Sequence, residues 1–386
     1  MKRLRIVCIL IILMTFPAAA HSGEPFRFAV FSDSRGAVLT DRCADEGVSP
    51  VLAVLVEDVL HRHDTAPISL VVFPGDMISG ALKRDQASVA DCNLLQLKHW
   101  RNTIKPILDA GIQMRVTMGN HEMATVEKAQ LKTRCSPHNW PYIPSQDNVD
   151  VFKEILGDML SPHPRPSPNM GLTYSFDAGG CHFVFLAGYT MYENNSFSNE
   201  TLRWLENDLK EASEKGLHIM VASHAPAFPG GGHMWDCIPF LDPEYACNYY
   251  SGIDRRKERD RFWNLLKEFG TVAYFCGHEH NIQIQEVEGV WQIVSAGITQ
   301  RLYELNGSET DKKRNTILYD GHFQNPRARI NWPWQETREA YWGWCLVTVD
   351  EENISLEVFG SDSLPTKRSD LKLLKSFSLR QGSQTR

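Results

Sequence analysis

Five short stretches combine glycine or serine with side chains able to bind metal: Asp33-Ser34-Arg35, Gly75-Asp76, Gly119-Asn120-His121-Glu122, Ser223-His224 and Gly277-His278-Glu279-His280. Carboxylate and amide oxygens mixed with imidazole nitrogens suit manganese, iron, cobalt or zinc. Each stretch alone is weak. A Gly-Asp pair is more often a turn than a ligand, and a single histidine is more often a satisfied polar residue. His278 and His280 flank Glu279, so in an extended segment both imidazoles project to one side. Glycine ahead of Asp76, Asn120 and His278 predicts sharp turns.

What gives the five stretches weight is their placement. Apolar runs read as strands at Phe26 to Phe31, Ile68 to Phe73, Gln113 to Met118, Cys181 to Ala187, His218 to Ala222, Val272 to Cys276 and Trp291 to Ser295. They lack polar alternation, as strands covered on both faces do. Each candidate stretch follows one of these runs. Between them lie helix-period segments: Leu52, Leu55 and Val59 share a face, as do Leu202, Leu205 and Leu209, and Phe262, Leu265, Leu266 and Phe269. Alternating strands and helices predict an α/β layered domain. Loops at the carboxyl ends of such strands converge on one crevice. Trp344 to Val349 and Ile354 to Phe359, joined by Asp350-Glu351-Glu352-Asn353, predict a hairpin. The polar, aromatic-rich stretch from 306 to 342 reads as a long insertion over the surface of a single domain spanning 21–386.

The order of these motifs resembles the calcineurin-like metallophosphoesterases, from about Phe26 to His280. The resemblance implies a two-sheet β-sandwich flanked by helices, with two metal ions at the strand ends. It implies that Asp76 bridges the ions, that Asn120, His224 and His278 complete one site, and that Asp33 and His280 serve the other. His121 would face the leaving group. Two cations roughly 3.5–4 Å apart can hold a phosphoryl group and lower the pKa of a water between them. The implied reaction is hydrolysis of a phosphate mono- or diester, with a metal-activated hydroxide attacking phosphorus and an imidazolium assisting the departing oxygen. One position departs from the pattern. The first motif of the family is commonly Asp-x-His, and here the third residue is Arg35, which has no lone pair to give. The purple acid phosphatase variant places a Tyr three residues after the second-motif Asp, and here that residue is Ser79. Arg35 therefore reads either as a fork for substrate phosphate or as an ion-pair partner near Asp33. A metal- or phosphate-binding protein without catalysis, or a scaffold on the same fold, stays open as an alternative function.

Other features are blander. Trp332, Trp334, Tyr341, Trp342 and Trp344 read as packing ahead of a substrate pocket. Arg327 and Arg329 read as a solvated loop, and Gly230-Gly231-Gly232 as a flexible one lacking the Lys-Ser/Thr end of a phosphate loop. His233 is a weak candidate near His224.

The chain has 386 residues, 42% of them hydrophobic and 23% charged, which excludes a disordered or fibrous protein. Residues 1–20 carry a basic start, an apolar run from Ile6 to Phe16 and Ala18-Ala19-Ala20, the order of a cleaved export signal with His21 as the mature start. The expected location is the periplasm or the medium, with no transmembrane span in the mature chain. Net charge is −7, and removing Lys2, Arg3 and Arg5 takes it to −10. So acidic a chain is a poor stable partner for nucleic acid. Nine cysteines become eight on cleavage of the first twenty residues. Cys181, Cys276 and Cys345 sit in apolar runs and read as buried thiols. Cys237 with Cys247, and Cys43 with Cys92, are possible disulfides.

Overall fold

The computed structural model describes residues 23–36, 47–80, 89–125, 143–144, 146–161, 167–188, 197–230, 255–305, 319, 321–322 and 324–380. In chain order these form β1 (Phe26–Val30), α1 (Val51–Thr65), β2 (Leu70–Phe73), α2 (Val89–Asp109), β3 (Gln113–Val116), the single turn α3 (Asn120–Met123), the short pair β4 (Ala124–Thr125) and β5 (Ile143–Pro144), and α4 (Gln146–Leu156). Then come β6 (Tyr174–Ala178), β7 (Cys181–Leu186), α5 (Asn199–Glu214), β8 (His218–Ser223), α6 (Arg255–Glu268), β9 (Ala273–Cys276), β10 (Ile282–Val287), β11 (Val290–Ser295), β12 (Ala328–Trp332), β13 (Trp342–Asp350), β14 (Asn353–Ser361) and β15 (Lys372–Arg380).

Two mixed sheets carry the fold, as the family resemblance implies. One runs β15-β14-β13-β1-β2-β3 and the other β12-β10-β11-β9-β8-β7-β6. β1, β2 and β3 pair in parallel, and so do β7, β8, β9 and β11. Their residues are apolar almost throughout because each sheet is covered twice, by the other sheet and by helices. Phe28 of β1 meets Phe183 of β7 and Phe275 of β9 edge-on, with ring centroids 5.1 and 5.7 Å apart. Burying a side chain of this size contributes roughly 1.5–3 kcal/mol. Leu52, Leu55, Val56 and Val59 of α1 join this core, as do Leu97, Trp100, Ile104 and Ile107 of α2. Leu202, Leu205 and Leu209 of α5 pack with Phe262, Trp263 and Leu266 of α6 against Val184, Val221 and Tyr274, on the outer face of the second sheet. The expected faces of α1 and α5 are therefore the buried ones; on α6, Phe262 and Leu266 are buried with Trp263, and Leu265 and the following Phe269 are half-buried.

Period-two alternation explains the middle of the second sheet. On β7, Cys181, Phe183 and Phe185 point between the sheets, and Val184 and Leu186 point at α5. The predicted hairpin is β13–β14, in register from Trp342↔Ser361 to Asp350↔Asn353.

The 306–342 stretch is only partly a surface covering. Residues 306–318, 320 and 323 lie outside the described residues, but β12 falls within the stretch and pairs antiparallel with β10. Trp332, Trp334, Tyr341 and Trp344 are buried, and Trp332 stacks on Tyr341 with centroids 5.5 Å apart. They are packing residues. Arg327 is paired with Asp260 and Glu288, and Arg329 with Glu286. Cys181, Cys276 and Cys345 are buried thiols outside any disulfide among the described residues. Cys92 is disulfide-bonded, whereas its expected partner Cys43, like Cys237, Cys247, His233 and residues 1–22, lies outside the described residues.

Candidate metal centre

The carboxyl ends of β1, β2 and β3 in one sheet face those of β8 and β9 in the other, and the five sequence stretches meet there. Ser295 at the end of β11 ties the sheets together at this edge: its carbonyl accepts from the Ser32 amide at 2.8 Å, and its hydroxyl donates to the Val30 carbonyl at 2.7 Å. Asp33, Asp76, Asn120, His121, His224, His278 and His280 are all buried. Asp33, Asp76, His278 and His280 have positive φ, at 61°, 54°, 72° and 45°. A non-glycine residue held there costs of order 1–3 kcal/mol and concentrates at functional sites.

The glycines serve different ends. Gly75 has φ of 91° and makes the sharp turn expected ahead of Asp76. Gly119 and Gly277 have no such φ; a Cβ on Gly119 would collide with Asp76, and one on Gly277 with Asp33. Their role is to clear room for the two carboxylates, not to turn the chain.

Two sets of ligand atoms form, each lying within 4.8 Å of one another: Asp76, His224 and His278, and Asp33, Asp76 and His280. Asp76 belongs to both. Around His224 Nε2 lie Asn120 Oδ1 at 3.1 Å, His278 Nδ1 at 3.2 Å and Asp76 Oδ1 at 3.3 Å. His224 Nδ1 donates to the Pro74 carbonyl at 2.8 Å, which turns Nε2 inward. Asn120 Nδ2 is buried without a hydrogen-bond partner among the described residues. The amide thus presents its oxygen to the cluster and leaves its donor unused, which suits a cation better than hydrogen bonding. His280 Nε2 lies 3.7 Å from Asp33 Oδ1 on the other side. A donor set of two carboxylates, one amide and three imidazoles, closed on a shared carboxylate, fits a pair of borderline cations.

The charges in the site push against one another. Burial pushes the Asp33 carboxyl up to about 6, with His224 opposing and Asp76 adding to the rise. Burial also acts on Asp76, but His224 and His121 hold it well below the usual carboxylate range. Asp76 in turn outweighs burial at His224 and lifts it to about 9. Two carboxylates this close do not share ionisation equally.

Arg35 is half-buried beside these ligands. Its Nη1 contacts His121 Nε2, and its Nη2 lies 3.3 Å from His280 Nδ1 and donates to the Tyr303 hydroxyl at 3.1 Å. Among the described residues no carboxylate pairs with it, so the ion-pair reading of Arg35 is not the arrangement found. His121 Nδ1 donates to the Ser79 carbonyl at 2.7 Å, and Nε2 faces Arg35. Burial and the guanidinium push His121 down to about 3, so the ring is neutral here rather than an imidazolium.

Two residues in the site were not assigned roles from sequence. Glu122 is fully enclosed and accepts from the amides of Asp76, Met77, Ile78 and Gly119 at 3.0, 2.7, 3.3 and 2.7 Å. It binds the β2 and β3 loops together, and burial with Asp76 beside it pushes its carboxyl up to about 7. Its place within Gly-Asn-His-Glu was the available signal. Tyr303 had none, since it lies past the last motif in a segment without strand periodicity.

The sequence matches the calcineurin-like phosphoesterase family over residues 26–281. Purple acid phosphatase 21 of Arabidopsis thaliana is 27% identical over 169 residues, covering 44% of this chain and 30% of that protein. Purple acid phosphatase 23 of the same plant is 25% identical over 268 residues, covering 69% of this chain and 49% of that one. The chain thus spans half or less of the length of these relatives. Among solved structures, the purple acid phosphatase PPD1 of yellow lupin, Lupinus luteus, superposes with a TM-score of 0.57 at 15% identity, over 92% of this chain and 53% of that one, a likeness of fold. Motif order, two-sheet architecture and a match across more than half of its length place the chain in the calcineurin-like phosphoesterase family.

Proposed function

We propose that the protein is a metal-dependent hydrolase of phosphate esters. The observation that carries this reading is Asp76: one buried carboxylate shared by two ligand sets, each completed by imidazoles from the opposite sheet. Asp76 would bridge two ions, with Asn120, His224 and His278 around one and Asp33 and His280 around the other. When bound, such ions supply positive charge for a phosphoryl group and lower the pKa of a water held beside it.

The chain's own residues do the rest. Gly119 and Gly277 give the carboxylates room, and Glu122 fixes the loop that holds Asp76. Arg35 brings a planar fork of donors beside His121 and His280, and such a fork matches the geometry of phosphate oxygens. His121 holds one arm of that fork and stands on the leaving-group side. Arg35 takes the place of a histidine ligand, so the Asp33–His280 side has fewer protein donors than the other and more need of the substrate's own oxygens.

Purified protein should lose hydrolysis of a phosphate monoester or diester on chelation and regain it on adding manganese, iron, cobalt or zinc. Hydrolysis that survives chelation in metal-free protein would contradict the reading. We also infer export, from the order of residues 1–20 and the disulfide at Cys92, a bond rare in reducing compartments. Intact mass of native protein should begin at His21, and a mass that retains Met1 to Ala20 rules cleavage out. No helix among the described residues is long and apolar enough to cross a membrane.

A further inference from the structure

Tyr303 lies beyond the family match, on the segment that follows β11. That segment doubles back over the centre and is tied at each step. Ala296 N donates to Asn281 O at 3.0 Å, Gly343 N to Gly297 O at 2.9 Å, and Trp342 Nε1 to Thr299 O at 3.1 Å. Tyr303 N then donates to the carbonyl of His280 itself at 3.1 Å, and Asn281 Nδ2 donates to Tyr303 O at 3.4 Å. The result is a phenol ring parallel to the His280 imidazole, centroids 4.3 Å apart and planes 5° apart. Its hydroxyl accepts from Arg35 Nη2 at 3.1 Å.

We propose that Tyr303 is a positioning residue: its ring sets the plane of the His280 imidazole and its hydroxyl aims Arg35 at bound phosphate. The proposal rests on the phosphoester-hydrolase reading above. The need for such a device follows from Arg35. An arginine side chain has many rotamers, and with no carboxylate among the described residues to dock on, it needs a neutral acceptor to hold its aim. A carboxylate there would neutralise the charge meant for phosphate; a phenol does not. The imidazole has the complementary need, because the Asp33–His280 side has lost a ligand and depends more on the angle of those it keeps.

The test measures metal affinity, the inhibition constant for inorganic phosphate, and Tm, for wild type, Tyr303→Phe and Tyr303→Leu. Tyr303→Phe keeps the ring and loses the acceptor. It should weaken phosphate inhibition about 2–10-fold, the range of one net hydrogen bond, with metal affinity unchanged. Tyr303→Leu loses the ring and should lower affinity for the more weakly held metal roughly 10-fold or more, with Tm in both variants near that of wild type. Unchanged phosphate inhibition in Tyr303→Phe overturns the Arg35 half of the proposal, and unchanged metal affinity in Tyr303→Leu overturns the His280 half. If Tyr303→Phe loses metal as completely as Asp33→Ala, the phenol is a ligand and the positioning role is overturned. A wild-type chain that binds no metal and hydrolyses nothing overturns the underlying reading instead, a result distinct from these.

Discussion

At the scale of single residues, the question is what a fixed positive charge does where the family commonly has a histidine. Under the proposed function, a guanidinium beside two cations is unfavourable unless an anion lies between them, and the phosphate of an ester would be such an anion. Arg35→Ala should therefore raise KM and the phosphate inhibition constant together, by roughly 10-fold or more for a charge-assisted contact, while metal content holds. Equal phosphate inhibition in the variant would reduce Arg35 to a structural contact of His121 and Tyr303. His121 should separate from the ligands in a different way. His121→Ala should release one arm of Arg35 and weaken phosphate inhibition, by about 2–10-fold for one hydrogen bond, with bound metal retained. Metal loss matching that of Asn120→Ala would make His121 a ligand. The eight candidate residues were legible because the chemistry demands particular side chains immediately after strands. Tyr303 was not, because its place depends on a return of the chain that only backbone pairing with His280 and Gly343 reveals.

At the scale of elements, the strands read as apolar runs were those covered on both faces. β10 escaped that reading because its sequence alternates isoleucine with glutamine, yet Gln283 and Gln285 are buried. Gln285 and Gln292 both donate to the Phe228 carbonyl at 2.9 Å, so the sheet's outer face is held by amides where a helix would bring apolar side chains. β15 escaped for the opposite reason, as an edge strand with much of its length exposed. A buried histidine on β7 gives a pH prediction that does not involve the centre. His182 lies between Asp208 of α5 at 2.8 Å and Asp177 of β6 at 2.6 Å, and Ser175 donates to Asp208 at 2.9 Å. Burial opposes the charge on His182, but the two carboxylates outweigh it and raise its pKa above 6.5. A raised histidine adds stability that is fully present below its unfolded value and fades as pH rises through the folded one. The Tm difference between wild type and His182→Gln should therefore be largest below pH 6.5 and shrink above it. A difference that is flat with pH, or that grows as pH rises, would show that the ring is held neutral.

At the scale of the whole molecule, two sheets pack face to face and each brings part of one centre. β1, β2 and β3 supply Asp33, Arg35, Asp76, Asn120 and His121; β8 and β9 supply His224, His278 and His280. Neither sheet holds a complete ligand set, so folding of the sandwich and assembly of the centre are one event. Asp76 is where the halves join. The most direct measurement is metal content per chain, taken with phosphoester hydrolysis, on wild type and Asp76→Ala purified side by side. The account predicts roughly two ions per wild-type chain, fewer than one in Asp76→Ala, and hydrolysis lost with them. A variant that keeps full metal content and near-normal kcat, or a wild type that takes up no metal, would contradict it.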